Sequence, residues 1–137
     1  MLKFTLDTNT LISAVISKGN EYQLLKLAKE GSIKIVLSLD IIKEFKEVIS
    51  REKFGFSKKQ IDNVVKQILN ICELIIPTIR LSIIEDDPDD DRILECAVTG
   101  NADYMVSGDR HLLNLNKYGK ISIIRTFEAL KIIDKQE

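Results

Sequence analysis

The sequence predicts an α/β fold: a three-layer α/β/α domain with a mostly parallel central sheet of about four to five strands. Two observations predict it. Short strand-like runs alternate with stretches of helical periodicity along the whole chain. The 137 residues, 45% hydrophobic and 30% charged, have the size and composition of one globular domain, and no repeat, low-complexity tract or linker divides residues 1–137.

Leu2 to Leu6 reads as the first strand and ends at Asp7. Thr8 is then placed as the N-cap of a helix carrying Leu11, Ile12, Val15 and Ile16, with Gly19 beyond its end. A second helix from Tyr22 to Glu30 puts Leu24, Leu25, Leu27 and Ala28 on one face and stops at Gly31. Ile33-Lys34-Ile35-Val36-Leu37 is the second strand, rich in β-branched residues. After Ser38, Ile41, Ile42, Phe45, Val48 and Ile49 recur at helical spacing. Phe54-Gly55-Phe56 is a turn, and Ser57 caps a long helix bearing Ile61, Val64, Val65, Ile68, Leu69 and Cys72. Leu74-Ile75-Ile76 is a brief strand closed by Pro77. An acidic loop precedes a helix with Ile93, Leu94, Ala97 and Val98, stopped at Gly100. Tyr104-Met105-Val106-Ser107 is a strand ending at Gly108-Asp109, Ile121-Ser122-Ile123-Ile124 is the last strand, and Thr126 caps a final helix with Phe127, Leu130 and Ile133.

Composition excludes several classes. The apolar stretches are short and interrupted by charge, so no membrane span is expected, and the opening residues reach Asp7 too early for a secretory signal. Cys72 and Cys96 stand apart from each other and from the lone His111. That spacing excludes a zinc ribbon and a disulfide framework, and points to a reducing, cytoplasmic setting. The net charge of −1 conceals an asymmetry: residues 85–91 hold six acids in seven positions, and without them the other 130 residues carry a net +5. A basic body with one concentrated acidic patch suits a cation site that would admit an anionic ligand.

In open parallel sheets, ligands bind in the crevice outside the carboxyl ends of the strands. Asp7 follows the first strand there, Asp109 follows the strand at Tyr104, Glu44 and Glu47 ride on the helix opened by Ser38, and Asp90 lies near the N-terminus of the helix after the acidic loop. Four segments thus bring carboxylates to one edge without a lysine, a glycine-rich phosphate cradle or a serine–histidine pair. Carboxylates gathered in this way repel one another unless cations lie between them. Hard divalent ions, Mg²⁺ or Mn²⁺, prefer such oxygen ligands, and the chemistry that follows is phosphodiester hydrolysis.

The ordered set also resembles a family. Leu6-Asp7-Thr8-Asn9-Thr10-Leu11-Ile12-Ser13-Ala14 is similar to the opening motif of PIN-domain nucleases, and Ser38-Leu39-Asp40-Ile41-Ile42-Lys43-Glu44-Phe45 resembles their second, with Glu44 on the acidic position. Asp87-Pro88-Asp89-Asp90-Asp91-Arg92-Ile93-Leu94-Glu95-Cys96-Ala97 resembles the third, with Asp90 aligned and Asp87 and Asp91 as alternates. Ala102-Asp103-Tyr104-Met105-Val106-Ser107-Gly108-Asp109 matches the last, Ser107 standing where Thr is more usual. The resemblance runs from residue 2 to about residue 125 and is greatest to the toxin components of prokaryotic toxin–antitoxin pairs related to VapC-type toxins. It implies a metal-dependent endoribonuclease. Asp7, Glu44, Asp90 and Asp109 would hold Mg²⁺ or Mn²⁺, while Thr8, Asn9 and Ser107 would orient them by hydrogen bonds.

Two rivals stand beside this reading. Asp7-Thr8-Asn9-Thr10 resembles the signature of aspartate-dependent phosphatases of the haloacid-dehalogenase type, but Asn9 replaces the second acid and Leu113 the downstream aspartate. A PIN fold that only binds RNA or protein would be marked by loss of an acid, and all four positions are acidic. Among the other polar residues, His111 reads as exposed or as a phosphate contact. The two cysteines read as small buried hydrophobes. Lys43, Lys46, Arg51, Lys53, Lys58 and Lys59 read as either an RNA-backbone path or ion-paired helix surface. Leu24, Leu25 and Leu27 with Ile41, Ile42, Phe45 and Ile49 are more apolar side chains than one small sheet face needs, which predicts an exposed patch and a homodimer. The resemblance implies a dimer too, and an antitoxin protein as a second partner.

Overall fold

A computed structural model describes residues 1–84 and 87–136. Glu85 and Asp86, the first two acids of the acidic run, lie outside the described residues, as does Glu137. The elements follow in the order β1 (Lys3–Leu6), α1 (Thr8–Ile16), α2 (Asn20–Lys29), β2 (Lys34–Ser38), α3 (Leu39–Ile49), a 3₁₀ turn (Glu52–Phe54), α4 (Lys58–Ile71), β3 (Glu73–Ile75), α5 (Pro88–Thr99), β4 (Tyr104–Val106), α6 (Arg110–Leu115), β5 (Lys117–Tyr118), β6 (Ile121–Ile124) and α7 (Thr126–Lys135). Helices flank the sheet in three layers, as the alternation predicts.

The sheet order is β3-β2-β1-β4-β6-β5, parallel except for the β5–β6 pair. Phe4 therefore sits between Ile35 and Tyr104, and Thr5 between Val36 and Met105. The chain leaves β1 toward β2 on one side and returns at β4 on the other. The β1–β4 boundary is thus the topological switch point where a crevice opens. Both central strands are buried on both faces, Phe4, Thr5, Leu6, Met105 and Val106 being fully covered, although only β4 is apolar throughout and β1 alternates with Lys3 and Thr5.

Six strands replace the expected four to five because the edge hairpin is too short to leave a periodic signal. β5 is two residues long, and the hairpin turn uses Gly119 at φ +59°. Helix α6 was also not anticipated: it has six residues and ends at Asn116, which adopts φ +65°. Two caps differ from expectation. Asp7, not Thr8, caps α1 by accepting from the Thr10 N–H at 2.8 Å, and Arg125, not Thr126, occupies the N-cap position of α7. Ser57 does cap α4, in a reciprocal pair with Gln60.

The apolar patch predicted for a dimer interface is absent. Leu24, Leu25, Ile41, Ile42, Phe45 and Ile49 are all buried in the chain's own core, and Leu27 packs partly buried against it. Helix α1 packs against both α2 and α3, which also pack on α4 and β2, and that inter-helix contact absorbs the side chains read as surplus. Among the described residues, no helix is long and apolar enough to cross a membrane.

Gly100 ends α5 in an ordinary helical conformation, so its role is space rather than backbone freedom. A Cβ there would lie 3.0 Å from the Cys96 carbonyl oxygen, 3.0 Å from Val36 and 3.3 Å from Ile75. The carbonyl is helix backbone and has little freedom to withdraw. Gly100→Ala should therefore destabilise the fold by about 1–3 kcal/mol through overpacking, measured by urea denaturation. Unchanged stability would show that α5 is not seated tightly on β2.

Candidate active site

Asp7 closes β1 with its carboxyl buried, 3% exposed. Its backbone N–H continues the ladder to the Val106 carbonyl at 3.1 Å, so the carboxyl lies directly across from the end of β4. There the Ser107 hydroxyl, itself buried, donates to Asp7 Oδ2, while the Thr10 N–H occupies Oδ1. Ser107 Oγ also accepts from the Asp109 N–H at 2.9 Å. One hydroxyl thus positions both aspartates of the switch point. Burial pushes the Asp7 pKa up, the bonds from Ser107 and Thr10 oppose that, and the charge of Asp109 adds to the rise.

Asp109 is half-buried and caps α6, its Oδ1 accepting from the N–H groups of His111 at 2.9 Å and Leu112 at 3.2 Å. Glu44 enters from α3, half-buried. Its pKa is raised by burial and by the charges of Asp89, Asp87 and Asp7, and is lowered by the nearby Thr8 hydroxyl. That hydroxyl is itself buried without a full hydrogen bond.

Asp90 sits in the first turn of α5, 7% exposed, and its Oδ2 is buried with no hydrogen-bond partner. Burial, then the charges of Asp109, Asp87, Asp7 and Glu44, push its pKa up to about 7. The four expected acids therefore lie within electrostatic reach of one another at the carboxyl-end edge of the sheet. A buried carboxylate oxygen without a partner, in the field of other carboxyls, is short of positive charge. The donors are all oxygens, which fits Mg²⁺ or Mn²⁺. Among the described residues, no three His, Cys, Asp or Glu side chains stand in ready-made metal-binding geometry.

The alternates divide. Asp87 is the N-cap of α5, accepting from the Asp89 N–H at 3.1 Å, and its charge still reaches Glu44 and Asp90. Asp91 is committed elsewhere: its Oδ1 accepts from the N–H groups of Ile83 at 2.9 Å and Ile84 at 3.0 Å. Asn9 is exposed and lines a neighbouring groove rather than bonding to the acids. Both thiols are pushed up to about 12 by burial, so neither cysteine is a nucleophile at neutral pH.

Sequence reasoning missed Glu95. It is fully buried, pairs with Arg80 at 2.9 Å and Arg92 at 3.0 Å, and accepts from the Leu81 N–H at 2.7 Å. Arg92 in turn donates to the Leu81 carbonyl at 2.9 Å. Together with Asp91, this cluster ties residues 80–84 to α5 and holds the approach to the acidic run. The available signal was one acid inside the apolar run Ile93-Leu94-Glu95-Cys96-Ala97-Val98.

The model of the PIN domain family matches residues 3–111, and the chain belongs to that family, whose members are typically nucleases and generally use divalent metal ions. Solved structures share the fold. One is VapBC2 from Rickettsia felis bound to a DNA fragment from their promoter, with TM-score 0.64 and 19% identity over 89% of this chain and 97% of that one. Another is PAE2754 from Pyrobaculum aerophilum, with TM-score 0.63 and 16% identity over 98% and 91% of the two chains. The T. brucei RRP44 PIN domain aligns with TM-score 0.55 and 13% identity over 98% of this chain and 82% of that one. No curated protein matches the chain by sequence.

A carboxyl whose folded pKa lies near 7 against 3.8 unfolded contributes its stabilisation at low pH and loses it as pH rises through 7. With EDTA present, Asp90→Asn should therefore raise the melting temperature by several degrees at pH 8 and by much less at pH 5. A variant less stable than wild type at pH 8 would mean that Asp90 is not strained by its neighbours.

Proposed function

We propose that this protein is a Mg²⁺- or Mn²⁺-dependent endoribonuclease that hydrolyses RNA phosphodiester bonds, as the toxin component of a toxin–antitoxin pair. The observation that carries the proposal is the unpartnered, buried Asp90 carboxylate oxygen within electrostatic reach of Asp109, Asp7 and Glu44. Those four residues would hold the metal. Bound there, Mg²⁺ or Mn²⁺ would lower the pKa of a water and offset charge developing on a phosphodiester.

The chain's own residues supply the positioning. Ser107 fixes Asp7 and Asp109 relative to each other through one hydroxyl. Thr10 and the first turn of α6 restrict the carboxyl rotamers of the same pair. The buried floor formed by Leu6, Val106 and Ser107 keeps bulk water from the inner side of Asp7, where each electrostatic contact gains strength. Such orientation of ligating carboxylates by hydrogen-bonded neighbours governs metal affinity. An antitoxin and a homodimer belong to the same proposal. The toxin role is supported by the fold shared with VapBC2. The faces available to either partner include an apolar-floored groove of about 690 Å³ among α1, α2 and α4, flanked by the exposed Ile16 and Tyr22.

RNA cleavage should require added divalent metal and stop with EDTA. Asp7→Asn, Asp90→Asn and Asp109→Asn should each lower kcat at least about 100-fold without unfolding the protein, whereas Asp89→Asn, altering an exposed carboxylate, should matter far less. Full cleavage by a contaminant-free sample in EDTA would remove the metal from the account, and equal damage from Asp89→Asn and Asp90→Asn would redraw the site within the acidic run.

A further inference from the structure

Beside the carboxylate crevice lies a second, chemically different cavity of about 670 Å³. It shares Ser107 and Asp109 with the crevice, so the two are continuous. Its other walls come from the starts of α1, α2, α6 and α7. Arg110 and Arg125 stand on the α6 and α7 side, both exposed. Phe127 projects there with 48% of its surface exposed, and Lys131 Nζ sits 5.5 Å from the ring centroid on one face. Asn9, Ser13 and Asn20 supply neutral donors and acceptors on the opposite side, with Glu21 as the one carboxylate besides Asp109 among the described residues.

An exposed phenylalanine beside cations on a polar surface is poorly placed for stability and well placed for stacking. Cationic side chains alternating with an aromatic face are the means by which proteins hold single-stranded nucleic acid without pairing, and polar side chains nearby reach base edges and ribose hydroxyls. A phosphodiester cleaved at the crevice belongs to a strand that must continue away from it, and this groove adjoins Asp109. The groove among α1, α2 and α4 shares no lining residue with the acids.

We infer that the groove is the track for single-stranded RNA leading to the acidic crevice, with Arg110 and Arg125 holding phosphates and Phe127 stacking one base. The inference rests on the nuclease reading above and adds where the substrate lies.

The test uses the full-length protein and a single-stranded RNA decamer, with KM and kcat measured in Mn²⁺ and binding measured by fluorescence anisotropy in EDTA. Phe127→Leu should weaken binding and raise KM about tenfold, with kcat little changed, and Phe127→Tyr should restore both. Arg110→Ala and Arg125→Ala should weaken binding similarly and each reduce the slope of log affinity against log salt by about 0.7. Lys53→Ala and Lys58→Ala, in the 3₁₀ turn and at the start of α4 and outside the groove's lining, should leave both readouts unchanged. Wild-type cleavage with KM and affinity unaltered in all three groove variants would overturn the track while leaving the nuclease intact. So would losses confined to the Lys53 and Lys58 variants, or a groove that binds an acidic peptide in place of RNA. A wild type that neither binds nor cleaves RNA would overturn the nuclease reading and the track together.

Discussion

The hydrogen bond from Ser107 to Asp7 is the contact on which the site's arrangement depends. It spans the boundary between β1 and β4, where a parallel sheet changes the direction in which its strands are added. Burying a carboxyl at the end of a central strand is unfavourable by desolvation, and the serine hydroxyl and the Thr10 N–H offset that in part. The same hydroxyl receives the Asp109 N–H. That bond fixes the backbone where the chain turns out of β4 into α6, and the residue at that point is a second acid. Sheet topology and site electrostatics are one construction here.

The other half of the crevice is governed by α5. Its first turn carries neighbouring acids with opposite duties: Asp91 accepts two backbone N–H groups from residues 83 and 84, while Asp90 keeps an oxygen without a partner. Glu95, with Arg80 and Arg92, anchors the incoming segment from behind. Only Glu95 of these is fully buried, Arg80 being largely exposed, and the two guanidinium groups and the Leu81 N–H together satisfy that carboxylate and tie the segment to the helix that presents Asp90. Gly100 seats the far end of the same helix against β2. The strain concentrated at Asp90 is thus held in place from both ends of α5, as expected where a functional group sits in an environment that penalises its charge.

Much of this was legible in the residues. The central strands and α1 to α5 announce themselves by apolar periodicity and by Ser57, Gly31 and Gly100 at their ends, and the crevice follows from counting which acids end strands. What was hidden falls into three physical kinds. Elements too short for a period, β5 and α6, are stabilised by their neighbours rather than by local pattern. Caps at Asp7 and Asp109 were obscured because each residue both caps a helix and faces the site. The apolar faces of α2 and α3 were read as surplus because one-dimensional periodicity does not reveal that helices also bury against each other. Among neighbouring aspartates the motif spacing favours Asp90, but the physical difference, two backbone N–H partners on Asp91 and an unpartnered oxygen on Asp90, exists only in three dimensions.

The central claim is that the carboxylates at the switch point bind a divalent cation, and it can be tested without any substrate. Titrating the protein with Mn²⁺ and following the free-ion electron paramagnetic resonance signal reports bound metal directly. The account predicts a stoichiometric site at pH 7.5 that weakens on acidification as Asp90 protonates near pH 7, that Mg²⁺ competes for, and that Asp90→Asn abolishes or weakens at least about tenfold. Undiminished binding in Asp90→Asn, or no binding by wild type at millimolar Mn²⁺, would contradict it.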